Sequence, residues 1–130
     1  MIALDTNVLV RFLTRDDAAQ AARAEACMAA LSEDEPGFIA REVVLELVWV
    51  LARAYHFTRT EIAAALEGLL SAIELEVEDA ETLGAVLGLY VGEAHDFADL
   101  VIREVGLRAG VSRLVTFDVK ASRLDDVELL

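Results

Sequence analysis

Two short apolar runs each stop on an aspartate: Ile2 to Leu4 leads into Asp5, and Leu114 to Phe117 leads into Asp118. Runs this short, bounded by polar residues, predict strands rather than helices, and the first has the pattern of a buried one. A carboxylate at the end of such a strand borders the core, where it is costly unless something positive meets it. Two further acids repeat the situation, Glu46 inside Val43-Val-Leu-Glu-Leu-Val48 and Asp99 inside Asp96-Phe-Ala-Asp-Leu100.

Between the aspartate-ended strands the period changes to that of helices. A helix is expected over Val8 to Leu13, and another over the Ala-rich stretch that Asp16 and Asp17 introduce and Ser32 to Gly37 ends. Phe38-Ile39 is a minimal strand, and Arg41 to Tyr55 is apolar nearly all round, the pattern of a helix buried through its middle. Thr58-Arg-Thr-Glu61 has the spacing of a capping box and opens a helix to Ala72. In Ile73-Glu-Leu-Glu-Val-Glu78 apolar and acidic residues alternate, which predicts a strand with one wet face. Asp79 is placed to cap a helix from Ala80 to about Val91, on which Gly84, Gly88 and Gly92 share a side and predict close helix packing. A last helix runs from Phe97 to Ala109 and closes at Gly110, followed by strands at Arg113 to Phe117 and Val127 to Leu130. Strands alternating with helices specify an α/β chain, expected as a single-domain three-layer α/β/α sandwich around a mostly parallel central sheet over residues 1–130.

The 130 residues suffice for one sizeable core, and 56% of them are hydrophobic. That is more apolar side chain than a small monomer hides, so a partner surface is expected. A net charge of −13 argues against a nonspecific duplex-DNA binder held by a broad basic face. It leaves open a nucleic-acid substrate whose phosphates are met by bound divalent ions. Cys27 is the only cysteine, no signal-peptide pattern opens the chain, and the apolar stretch around Leu83 to Gly92 falls short of the ~20 residues that span a bilayer. A cytoplasmic protein without a membrane segment is expected.

In α/β folds ligands gather beyond the carboxyl ends of strands, where Asp5 and Asp118 are expected. Asp96 and Asp99 lie three apart at a helix start and share a face; for Asp96 capping is a readier account than a ligand role. For Glu46 the alternative to a ligand role is an ion pair with Arg41 or Arg53. Mg²⁺ and Mn²⁺ take oxygen ligands and keep several waters, so a few carboxylates around an open space suffice to hold them. A bound ion activates water and stabilises charge on a phosphoryl oxygen, which points to phosphodiester hydrolysis. Arg11, Arg15 and Arg41 are candidates for substrate phosphates, or else balance neighbouring acids. No phosphate loop, paired-cysteine zinc pattern, His-Glu-x-x-His or nucleophile elbow competes. His56, His95 and Cys27 are expected as packing or surface residues, with His95 beside the site's edge.

Leu4-Asp-Thr-Asn-Val-Leu-Val-Arg11, Glu46-Leu-Val-Trp-Val-Leu51, Asp96-Phe-Ala-Asp-Leu-Val-Ile102 and Val115-Thr-Phe-Asp118 resemble, in order and spacing, the motifs of PIN-domain ribonucleases, in particular VapC-type toxins. The resemblance covers nearly the whole chain. It implies an α/β/α sandwich that cleaves RNA with Mg²⁺ or Mn²⁺, with Asp5, Glu46 and Asp99 as primary acids and Asp118 as a fourth. It implies that Thr6, Asn7, Thr116 and Asp96 shape the site. It also implies a homodimer and a small antitoxin protein whose basic tail covers the acids.

A receiver-type signalling domain is the alternative of similar length, with Thr116 and Lys120 as its switch pair. That fold wants an aspartate at the end of its central strand in mid-chain, where Arg41 to Tyr55 has none. A metal-free acidic interaction module is the other alternative.

Overall fold

The computed structural model describes residues 1–92 and 94–130. The chain separates into two compact units, Met1–Ala80 and Glu81–Leu130.

In the first unit, three parallel strands, β1 (Ile2–Ala3), β2 (Gly37–Ile39) and β3 (Leu75–Val77), pair in the order β1-β2-β3. The register sets Ile2 against Gly37, and Gly37 against Leu75. Parallel neighbours need long crossovers. Here α1 (Thr6–Thr14) and α2 (Ala18–Ala29) join β1 to β2, and α3 (Arg41–Arg53) and α4 (Arg59–Ser71) join β2 to β3.

Helices α1, α2 and α4 begin where a local side chain satisfies a free amide. Asp5 accepts the Thr6 amide at the start of α1, and Asp17 accepts the Gln20 amide at the start of α2. Thr58 and Glu61 form the expected capping box of α4. The helices bury stripes at three- and four-residue spacing: Thr6, Leu9 and Val10 on α1, and Ile62, Ala63, Leu66 and Leu69 on α4. Gly37 is buried at the middle strand, and a Cβ there would stand 2.8 Å from Leu31 Cδ1 and 2.9 Å from Leu4 Cδ1. A side chain there would require those leucine side chains to shift.

Two expectations change here. The first strand is not a buried one: Ile2 is half exposed, and burial begins at Leu4, because β2 rather than β1 is the middle of this sheet. Helix α3 is not buried all round either. It buries Val44, Leu47, Val48 and Leu51 and exposes the opposite stripe, Trp49 included.

In the second unit, α5 (Ala80–Gly92) and α6 (Phe97–Arg108) precede β4 (Leu114–Thr116), a 3-10 turn at Ala121–Arg123 and β5 (Val127–Leu129). β4 and β5 are parallel, with Leu114 against Val127 and Thr116 against Leu129. Tyr90 and Phe97 meet edge to face with ring centroids 5.4 Å apart. Gly110 takes φ 92, the left-handed turn that ends α6. The glycines of α5 do not make the expected close packing. Nothing among the described residues lies within 4 Å of a Cβ built at Gly84, Gly88 or Gly92. The helix buries Leu83, Val86 and Tyr90 instead.

Every strand pair is parallel, as expected for an α/β chain. Among the described residues no helix is long and apolar enough to cross a membrane.

Candidate active site

Asp5 follows β1 and is the N-cap of α1; its Oδ1 accepts the Thr6 amide at 2.8 Å. The Thr6 hydroxyl, nearly buried, donates to Glu46 Oε2 at 2.9 Å. That bond joins α1 to α3 and answers the question of what accompanies Glu46. The ion pair with Arg41 or Arg53 is not made. Arg41 pairs with Glu42 and Asp79, and Glu46 takes a neutral donor that leaves its negative charge uncompensated.

Asp5, Thr6, Asn7, Arg11 and Glu46 line one cleft of about 290 Å³ with Tyr55 at its wall. Arg11 is engaged there. Its Nε donates to Gln20 Oε1 at 2.7 Å, its Nη1 donates to the Tyr55 hydroxyl at 3.2 Å, and Asp16 lies 3.3 Å away. The Tyr55 hydroxyl donates to Asp16 at 2.6 Å and holds that carboxyl below its ordinary range. Arg15 pairs with Glu25 at 2.9 Å. The three arginines expected near phosphates are therefore all balancing acids. Tyr55 went unnoticed in the sequence because no spacing links it to Arg11 or Asp16; only folding brings them together.

In the second unit, Asp96 stands at the N-cap position of α6, but its side chain makes no capping hydrogen bond. Capping therefore does not account for this carboxylate. Asp99 lies one turn into α6, partly buried. Burial raises its pKa most, and the negative charges of Asp96 and Asp118 raise it further, while His95 and Lys120 partly oppose them. The three aspartates thus share one electrostatic neighbourhood, which His95 joins. Lys120, read from the sequence only as a possible switch residue, belongs to the same group. Asp118 Oδ1 accepts the Ala121 amide at 3.0 Å, and the Asp118 amide donates to Thr116 Oγ1 at 3.0 Å. The Thr116 hydroxyl thereby shapes the loop that carries Asp118.

One pattern recurs at Asp5, Glu46 and Asp118. One donor occupies one carboxylate oxygen, and the other carries no hydrogen bond among the described residues. Such an acid is oriented but still able to bind. These are hard oxygen donors, the chemistry that Mg²⁺ and Mn²⁺ select. Among the described residues no set of three or more His, Cys, Asp or Glu side chains is already arranged to hold a metal ion. Mg²⁺ needs only one or two direct carboxylates and fills its remaining positions with water, so the donor chemistry fits such an ion.

The second cleft of note, about 470 Å³, is lined by Asn7, Arg11, Gln20, Arg23 and Cys27. Cys27 is half-buried and reduced, as expected of a small filler.

A "VapC ribonuclease" from Aquifex aeolicus (strain VF5) is similar to this chain, 27% identical over 125 residues that cover 95% of this chain and 92% of the relative. The PIN domain profile matches residues 2–127 and displaces the receiver-type alternative. The match extends over nearly the whole chain, and the chain belongs to the PIN domain family.

Proposed function

We propose that this chain is a metal-dependent endoribonuclease and the toxin of a toxin–antitoxin pair. The observation that carries this reading is the set of oriented carboxylates with one open oxygen each, at Asp5, Glu46 and Asp118. Membership of the PIN domain family and the similarity to a relative named as a VapC ribonuclease support it.

In this reading Asp5, Glu46, Asp99 and Asp118 hold Mg²⁺ or Mn²⁺. A bound divalent ion supplies positive charge for the phosphodiester and lowers the pKa of water. The chain's own residues prepare that chemistry. Thr6 fixes Glu46 by its hydroxyl and Asp5 by its amide, so one residue sets two acids. Asn7 lines the same cleft. Thr116 holds the turn into Asp118, while Asp96 adds negative charge beside Asp99. His95 and Lys120 temper that charge.

Uncompensated acids suit a basic side chain as well as a cation, which supports a small antitoxin with a basic tail as partner. A homodimer and a cytoplasmic setting complete the reading. The test is incubation of purified protein with RNA in Mg²⁺ or Mn²⁺, with and without chelator. Internal cleavage that chelator abolishes and Glu46→Gln reduces at least about a hundredfold is expected. No cleavage with either ion, or equal cleavage by Glu46→Gln, contradicts it and favours the acidic interaction module.

A further inference from the structure

The exposed residues of α3 are Glu42, Glu46, Trp49 and Arg53, spaced four, three and four apart. That spacing places them in a single stripe, with Trp49 about 4.5 Å along the helix axis from Glu46 and Arg53 about 6 Å further. Trp49 is 62% exposed, an unusual position for the residue that buries the most apolar area. Arg53 carries no hydrogen bond or ion pair among the described residues, unlike Arg11, Arg15 and Arg41. The stripe therefore presents, in order, an oriented carboxylate, an open aromatic face and an uncommitted guanidinium.

We propose that Trp49 stacks an unpaired RNA base next to the phosphate held at Glu46, and that Arg53 takes a neighbouring phosphate. The proposal rests on the ribonuclease reading and assigns Trp49 and Arg53 as the residues that grip the strand beside its site. A base within a duplex has both faces covered by its neighbours, whereas an unpaired base offers a face to an aromatic side chain. Phosphate, base and phosphate along a strand match carboxylate-held cation, indole and guanidinium along the helix. A peptide has no reason to repeat that order. Stacking is tolerant of base identity, so Trp49 selects for an unpaired strand rather than for a sequence.

Trp49 is the chain's only tryptophan, so its fluorescence reports on this position alone. The experiment titrates the wild-type protein, in Ca²⁺ in place of Mg²⁺, with a short unpaired RNA oligonucleotide and with its duplex; fluorescence is followed together with the anisotropy of a dye on the RNA. Ca²⁺ takes the same carboxylate oxygens but activates water less than Mg²⁺, so the ion stays bound while the RNA stays whole. The expected result is quenching of Trp49 by the single strand with the same midpoint as the anisotropy change, and at least about tenfold weaker binding of the duplex. Trp49→Ala weakens single-strand binding roughly five- to a hundredfold, and Trp49→Phe restores most of it. Arg53→Gln weakens binding and lowers its salt dependence.

RNA that binds by anisotropy with no change in Trp49 fluorescence, or equally well to Trp49→Ala, overturns this proposal and leaves the ribonuclease reading standing. No RNA binding at all, together with no cleavage by the wild type, overturns both. A wild-type dimer that Trp49→Ala converts to monomer overturns it too, because a second copy of the chain then covers the stripe.

Discussion

The hydroxyl of Thr6 donates to Glu46 Oε2 across 2.9 Å, joining the first turn of α1 to the middle of α3, 40 residues apart in sequence. The same residue gives its amide to Asp5. Thr6 is 5% exposed, so its side chain has no competing water, and the pair Asp5 and Glu46 is set from one buried position.

Thr6→Val keeps the shape of the side chain and removes the donor. The expected cost is about 1 kcal/mol of stability, read as a lower urea midpoint at unchanged slope. RNA cleavage falls about tenfold or more, because Glu46 loses its one hydrogen bond. Thr6→Ser recovers both. A Thr6→Val protein with wild-type activity would show that Glu46 does not depend on this bond.

Asp99 makes the protein's stability depend on pH in a defined direction. Burial first, and then Asp96 and Asp118, raise its folded-state pKa above the ordinary 3.8. The folded protein therefore binds that proton more tightly than the unfolded chain does. The stability this adds is complete below the unfolded value and is lost as pH rises through the raised folded value. Without divalent ions, Asp99→Asn is expected to melt roughly 2 °C above the wild type at pH 7, with the gap closing as pH falls toward 4. Thermal scans of both proteins at the two pH values check this. A gap that is absent at pH 7, or unchanged at pH 4, contradicts it.

Gly37 tests the packing of the first unit. A methyl group there meets Leu31 and Leu4 at under 3 Å and Leu75 at 3.2 Å, so side chains must move. Gly37→Ala is expected to destabilise by about 1–3 kcal/mol in urea unfolding. Neutrality would mean that the three leucines yield freely.

The features legible in the sequence are those set by local chemistry. Thr58 and Glu61 cap α4 as their spacing predicts, because each satisfies the other's free amide within one turn. Ile73 to Glu78 declared a strand through strict alternation, and β3 lies within it. The four acids stood out because a carboxylate among apolar neighbours needs a reason. What stayed hidden depends on which side of an element meets the core. The apolar residues of α3 concealed that Trp49 faces outward, since Val44, Leu47, Val48 and Leu51 already complete a buried stripe. The glycines of α5 share a side in sequence, yet it is the exposed side. The commitment of Arg11 to Gln20, Tyr55 and Asp16 needs three separated segments to meet, which no local pattern encodes.

The claim that Asp5, Glu46, Asp99 and Asp118 hold divalent ions is tested most directly by the Mn²⁺-induced change in melting temperature of the wild type beside Glu46→Gln and Asp99→Asn. An ion that binds only the folded protein stabilises it by mass action, about 2.7 kcal/mol at a hundredfold excess over Kd, or roughly 10 °C for a chain of this size. The account predicts a clear rise in the wild type that both variants largely lose. No rise in the wild type, or an equal rise in all three, contradicts it.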